Sequence, residues 1–313
     1  MRVVVAGGAG FLGSHLCDRL VARGDEVVCV DDLSTGSEEN VAQLRETGAF
    51  SLVVADVSRA VPVEGHVDAV LHLASPASPP AYLVRPLETL AVGSDGTRRL
   101  LELAERDDAR FVLASTSEVY GDPAVHPQPE SYRGNVDPVG PRSVYDEAKR
   151  FAEALTMATH RARGVDVGIA RIFNTYGPRL SPGDGRVVSN FCVQALTGAS
   201  LTVYGDGSQT RSLCYVDDQV DGLLALLGST LTGPVNIGNP DERTVAEIAK
   251  LVLELTGSRS GVVRRPLPTD DPLRRCPDIS LARTELGWEP NVELRDGLGR
   301  TIEWFRTRLG AGV

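Results

Sequence analysis

Short apolar runs alternate with longer amphipathic stretches through the first half of the chain. Val3–Ala6, Val27–Asp31, Leu52–Ala55, Ala69–Leu73, Phe111–Ala114 and Val167–Arg171 are short, β-branched and apolar with little alternation, the pattern of strands buried on both faces. Between them, Phe11–Arg23, Pro86–Glu105 and Arg142–Arg163 repeat apolar positions at helical spacing. Strand–helix–strand repetition predicts an α/β fold, a doubly wound parallel sheet with helices on both sides. Beyond about residue 174 Gly and Pro become frequent and the elements shorten. Residues 1–173 are expected to form a Rossmann-type domain, to which 212–240 return through strands at Leu223–Leu227 and Pro234–Gly238. Residues 174–313 are expected to be mainly a smaller substrate-binding region, with amphipathic helices at Thr244–Thr256 and Leu294–Arg308.

Composition narrows the classes. The 313 residues carry 42 acidic and 32 basic side chains, a net charge of −10, which argues against a nucleic-acid partner or a membrane-surface binder, since both need a basic face. Any phosphate site must therefore be built from local arginines and backbone N–H groups. No apolar run approaches the roughly 20 residues of a membrane span, and a first strand at Arg2 leaves no room for a signal peptide. The five cysteines are widely spaced without a C-x-x-C pair, as expected for reduced thiols in a cytoplasmic protein rather than a disulfide frame or metal site. Lysine occurs only at 149 and 250, so a lysine at a chemically demanding position carries weight.

The strand Val3–Ala6 runs into Gly7-Gly8-Ala9-Gly10-Phe11-Leu12-Gly13 and then a helix. Dinucleotide binding needs such a turn: it lets the backbone approach the pyrophosphate, packs helix on strand, and aims helix N–H groups at phosphate. The second strand ends at Asp31, the distance at which a carboxylate accepts from the adenosine ribose. Asp31-Asp32 with no neighbouring Arg would repel a 2′-phosphate, so NAD is expected rather than NADP. Asp56-Val57 and Leu73-Ala74-Ser75 follow the next strands and fall at the same sheet edge, although either could be an ordinary strand-end turn.

A second group concerns chemistry. Tyr145 and Lys149 lie four residues apart, on one helix face. An ammonium favours phenolate, and oxidised nicotinamide adds another positive charge, so this Tyr could accept a hydroxyl proton while Lys holds the nicotinamide ribose. The commonplace alternative is a surface pair. The strand Phe111–Ala114 ends in Ser115-Thr116-Ser117-Glu118, where Ser and Thr could simply cap the strand. Glu118, beside apolar residues, needs a partner or a task.

With these motifs in place, the chain resembles the extended short-chain dehydrogenase/reductase family, and within it the UDP-glucuronic acid decarboxylases that make UDP-xylose. The likeness runs nearly end to end. It is carried by His72–Pro80, Ser115–Pro123, Tyr145–Glu147, Ala170–Arg179, Asp184–Phe191, Leu201–Arg211, and Asp270-Asp271-Pro272 with Arg275 and Pro277-Asp278. The resemblance implies that NAD lies on Gly7, Gly10, Phe11, Leu12, Gly13, Asp31, Asp32, Ser34, Thr35, Gly36, Asp56, Val57, Leu73, Ser75, Tyr145 and Lys149. Arg179 would be an NAD-side contact or a loop salt bridge. It implies that Tyr145 takes the proton of the sugar 4-hydroxyl as NAD takes the C4 hydride, with Thr116 on the same oxygen. The resulting 4-ketone is β to the C5 carboxylate, so carbon dioxide leaves; Glu118, Ser117 and Arg275 surround that group. Protonation and hydride return give UDP-xylose. Pro76, Asn174, Arg186, Val188, Arg211 and Tyr215 would contact the substrate, with Leu201, Val203 and Tyr204 near the uracil.

This chain departs from the family pattern where Asp32-Leu33 replaces Asn-Phe and where Cys276 replaces a Lys beside Arg275. The membrane anchor of Golgi members has no counterpart, which implies a cytoplasmic enzyme of bacterial type. A homodimer through helices 86–105 and 142–163 is also implied. The rivals are a 4-epimerase or 4,6-dehydratase of the same family, a decarboxylase that stops at the 4-keto pentose, and a non-catalytic NAD-binding regulatory protein.

Overall fold

The computed structural model describes residues 1–266 and 274–310; Asp270-Asp271-Pro272 lies outside the described residues. The first six strands are β1 (Arg2–Ala6), β2 (Glu26–Asp31), β3 (Phe50–Val54), β4 (Ala69–His72), β5 (Arg110–Thr116) and β6 (Val167–Ile172). Interleaved with them are helices α1 (Phe11–Ala22), α2 (Pro79–Val84), α3 (Pro86–Ala91), α4 (Thr97–Asp107) and α5 (Ser143–Arg163). Then come β7 (Thr175–Tyr176), α6 (Val187–Leu196), β8 (Leu201–Tyr204), β9 (Thr210–Ser212), β10 (Cys214–Tyr215), α7 (Val216–Leu227) and β11 (Pro234–Ile237). The chain ends with β12 (Glu242–Thr244), α8 (Val245–Thr256), β13 (Val262–Arg265), α9 (Ser280–Leu286) and α10 (Leu294–Gly310).

Seven strands form one sheet in the order β3-β2-β1-β4-β5-β6-β11, with every neighbouring pair parallel. This is the Rossmann arrangement, in which strand order reverses between β1 and β4 and opens a crevice at the carboxyl ends. Alternation of side chains explains the unbroken apolar runs. Val3, Val5, Val27, Cys29 and Leu71 enter one core, whereas Val4, Ala6, Val28, Val30 and Val70 enter the other. Both faces are dry, so neither set can be polar.

Two expected elements differ. Leu223–Leu227 is no strand; it lies in α7, where Val220, Leu223, Leu226 and Leu227 bury one face. A five-residue apolar run suits a strand or a buried helix equally, and the spacing reaching back to Val220 decides for the helix. Pro234–Ile237 does join the sheet, beside β6. The expected helix 86–105 is interrupted by a π-helical segment, Val92–Gly96, between α3 and α4. A Cβ on Gly93 would stand 2.7 Å from Ala148 Cβ and 2.9 Å from Ala148 O, so the bare backbone at Gly93 lets α5 pack closely. The remaining strands pair outside the main sheet as β10 with β7, β12 with β9 and β13 with β8.

Gly93→Ala should therefore overpack this helix contact and cost about 1–3 kcal/mol. Equilibrium urea unfolding checks it; a midpoint equal to that of the wild type would show that α5 yields without strain.

Candidate active site

A cavity of about 1040 Å³ follows the carboxyl edge of the sheet, larger than one drug-sized ligand needs. At one end stands the glycine turn. Gly7 adopts φ +81°, a left-handed conformation that favours glycine, and its N–H donates to Val30 O at 2.8 Å. A Cβ on Gly13 would lie 2.1 Å from Gly7 O, so only glycine allows α1 to start this close. The α1 N-cap, Gly10, has no side-chain cap and the first turn has no acidic residue, which leaves its positive end open to an anion.

Asp31 closes the turn from the end of β2. Its two oxygens accept from the N–H groups of Ala9 and Leu33, each at 2.9 Å, and burial raises its carboxyl pKa. Asp32, Ser34, Thr35, Asp56, Val57, Leu73 and Ser75 line the same cavity, as do Gly10, Phe11 and Leu12. Gly36 does not; it packs against Asp31 and Ala9. Arg179 meets both readings. It pairs with Asp18 at 2.7 Å and lines the cavity, with Nη1 buried and without a hydrogen-bond partner among the described residues. The bare turn, open helix end and orphaned guanidinium nitrogen together fit a pyrophosphate, and the Asp31 carboxylate fits a ribose.

The other end carries the reactive groups. On α5, Tyr145 and Lys149 share the cavity face. Lys149 Nζ donates to Ala114 O at 2.7 Å, and burial lowers its pKa to about 8. The Tyr145 ring stacks on Tyr82 with centroids 5.3 Å apart. Burial pushes its phenol above the usual value, opposed by a hydrogen bond with Thr116. The protein alone thus does not favour phenolate: desolvation, helped by the Glu118 charge, outweighs the Thr116 hydrogen bond and the Arg186 charge. Glu118, in the turn after β5, is gripped by Arg275 Nη1 and by Arg142 Nη2, the latter at 2.7 Å. Burial alone would raise the Glu118 carboxyl, but the charges and hydrogen bonds of Arg275 and Arg142 win and bring it down to about 2. Ser117 lies beside it, on the wall and almost fully buried.

Most of the expected substrate residues converge here: Pro76, Asn174, Arg186, Val188, Tyr204, Arg211 and Arg275 all line the cavity. Arg186 is fixed by Asp184 through Nε at 2.6 Å and Nη2 at 2.8 Å. Three expected residues do not reach the wall. Leu201 and Val203 point into the core, because alternation along β8 turns Thr202 and Tyr204 to the cavity instead. Tyr215 is buried against Tyr176, edge to face at 5.6 Å, with the Arg300 guanidinium over its ring.

Sequence reasoning missed Arg142, Tyr82 and Asp146. Arg142 precedes Tyr145 by one helical turn, but its pairing with Glu118 does not follow from that spacing; Tyr82 lies in α2, which the proline run begins at Pro79. Asp146 is buried, with Oδ1 lacking a hydrogen-bond partner among the described residues. Burial, then the Glu118 charge, raises its carboxyl to about 7.

The sequence model of the NAD dependent epimerase/dehydratase family matches residues 3–238. The chain is 52% identical over 309 residues to UDP-glucuronic acid decarboxylase 1 of Arabidopsis thaliana, covering 99% of this chain and 71% of that protein. It is also 52% identical over 308 residues to UDP-glucuronic acid decarboxylase 1 of Danio rerio, covering 98% and 73%. Among solved structures, UDP-glucose 4-epimerase of Thermotoga maritima with UDP-glucose superposes with a TM-score of 0.89 at 31% identity, covering 99% of this chain and 100% of that one. The dTDP-glucose 4,6-dehydratase of Streptomyces venezuelae, with NAD and TYD bound, gives 0.90 at 31%, covering 99% and 98%.

The Asp146 environment has a signed consequence. A carboxyl raised from about 3.9 in the unfolded chain to about 7 in the fold contributes full stability below the lower value. That contribution is lost as pH rises towards 7, because the unfolded state ionises first. The melting temperature of Asp146→Asn should gain on wild type from pH 5 to pH 7 and then level off; a gap constant with pH refutes it.

Proposed function

The chain belongs to the NAD dependent epimerase/dehydratase family, and we propose that it decarboxylates UDP-glucuronate to UDP-xylose. The observation that carries this reading is the Glu118 carboxylate clasped by Arg275 and Arg142, beside the Thr116–Tyr145 pair. Oxidation at a sugar C4 asks of the protein a base with its hydrogen-bond partner beside the hydride acceptor, and no pair of guanidiniums. An additional pair of guanidiniums suits a substrate that brings its own carboxylate.

NAD, the cofactor of this family, would be held by the glycine turn, Asp31 and Lys149 and, when bound, would supply the hydride acceptor and donor at C4, leaving the reaction redox-neutral overall. Tyr145 accepts the 4-hydroxyl proton, and Thr116 hydrogen-bonds the same oxygen. Lys149, anchored on Ala114 O, supplies charge from the same helix face and holds the nicotinamide ribose. Once C4 is a ketone, the bond from C5 to the carboxyl carbon breaks, its electron pair enters the enolate, and carbon dioxide leaves. Arg275 orients the departing carboxylate, with Glu118 and Ser117 around it. A proton then returns to C5. Arg186 and Arg211 hold the diphosphate, while Asn174, Val188 and the cavity face of β8 hold the rest of the nucleotide.

The protein acts as a cytoplasmic homodimer in this reading. All five cysteines are free, which suits a reducing compartment, and among the described residues no helix is long and apolar enough to cross a membrane. Leu87 and Leu90 on α3 and Phe151 on α5 are exposed, on helices that pack against each other. A second copy covering them makes a four-helix contact.

Purified protein given UDP-glucuronate should release carbon dioxide and form UDP-xylose without accumulating NADH. Epimerisation without carbon dioxide, or release of a 4-keto pentose with NADH, would refute the assignment. Tyr145→Phe should lose on the order of 10²–10⁴ in turnover yet keep bound NAD; near-normal turnover removes its role as base. Leu87→Asp should convert a dimer to monomer in light scattering, and an unchanged mass rules out this interface.

A further inference from the structure

Outside the cavity wall, His126, Glu242 and Cys276 bring an imidazole, a carboxylate and a thiol together, with their ligand atoms all within 4.8 Å of one another. We propose that this cluster binds a borderline-soft divalent cation of the zinc class. The three donors come from the loop before α5, the start of β12 and the segment ending at Pro277, so no local spacing reveals them; His126 and Glu242 are 116 residues apart.

The geometry needs little change. His126 Nε2 stands 3.1 Å from Glu242 Oε2. Two such ligands on tetrahedral zinc, at about 2.0–2.2 Å each, lie about 3.4 Å apart, and a thiolate at about 2.3 Å lies about 3.6 Å from the nitrogen. The nitrogen and oxygen are already within a few tenths of an ångström of that separation, and the sulfur closes by at most about an ångström. Glu242 is also oriented: its Oε1 accepts from Thr210 Oγ1 and lies 3.8 Å from Arg274 Nε. That leaves Oε2 turned towards the imidazole, and such outer contacts orient ligands in metal sites.

The backbone that carries the thiol is held just as firmly. Cys276 N donates to Gln128 Oε1 and Cys276 O accepts from Gln128 N, both at 2.9 Å, and the Gln128 side chain is fully buried. Cys276 Sγ makes weak contacts to Pro240 O at 3.5 Å and Pro277 O at 3.9 Å and lies against Ser212; a metal bond replaces these while the thiol proton passes to solvent. A thiolate and an imidazole select zinc over magnesium or calcium, and three protein donors leave a fourth position for water.

The test uses the full chain with its retained cofactor, stripped with EDTA and dialysed. Calorimetric titration with Zn²⁺ should give one equivalent per chain, and Co²⁺ should produce a thiolate-to-cobalt charge-transfer band in the near ultraviolet. Cys276→Ser should lose the band and bind at least about tenfold more weakly. His126→Gln, which leaves the Gln128–Cys276 clamp intact, should show the same weakening should the serine variant not fold. Absence of stoichiometric Zn²⁺ binding by the wild type, or variants that bind like it, overturns the proposal.

Discussion

The reactive end of this molecule depends on one carboxylate, Glu118, held between Arg275 and Arg142. Removing three charges from water is costly, and their mutual attraction repays that cost only when geometry and further hydrogen bonds are good. Here they are. Arg275 is only 4% exposed and its Nη2 also donates to Gly121 O, so the pair ties the end of β5 to the segment before α9. Arg142 ties the same carboxylate to the start of α5. Three stretches that are remote in sequence thus meet at one anion. Removing Glu118 would take the carboxylate from the buried Arg275 and the half-buried Arg142 together, so the cluster specifies an arrangement more than it adds stability.

Around that anion, rigidity comes from α5. Its cavity face presents Tyr145 and Lys149. Further along, Glu153 accepts from Ser115 Oγ at 2.6 Å and from Arg171 through Nε and Nη2, which locks the helix across β5 and β6. From behind, the glycine of the π segment lets the helix lie flush against its neighbours. Such positioning matters because proton transfer needs donor and acceptor within hydrogen-bond reach. The raised phenol of Tyr145 shows what burial costs the base, and also why a cationic partner would act on it strongly in so dry a place.

Much of this was legible from the chain alone. Seven parallel strands, the glycine turn with Asp31, and Tyr145 with Lys149 all follow from local periodicity and spacing, because each motif is contained in one or two neighbouring elements. What escaped is non-local. Leu223–Leu227 is too short for its period to decide between strand and helix. Leu201 and Val203 sit on a strand that reaches the cavity, yet the direction of alternation is set by what packs below it. Tyr215 has the hydroxyl of a binding residue but spends its ring on Tyr176. Arg142 belongs to the site only because Glu118, 24 residues earlier, folds back to it. Residue type and spacing locate a motif; they do not say which face of a strand is wet.

The acidic balance of the chain has its own resolution at the cavity. A protein of net charge −10 must hold a dinucleotide and a nucleotide sugar, both anionic, and several of the guanidiniums in its groove are already paired. Arg179 is paired with Asp18, Arg186 with Asp184, and Arg142 and Arg275 with Glu118. Each is pre-oriented by a carboxylate, with Arg142 and Arg275 sharing one between them. The arrangement lowers repulsion among the guanidiniums of the unliganded protein, and Nη1 of Arg179 is left without a hydrogen-bond partner among the described residues. Affinity for polyanions then arises from placed donors and open helix ends rather than from net charge, which is why overall electrostatics alone would have argued against the ligands this cavity is built to take.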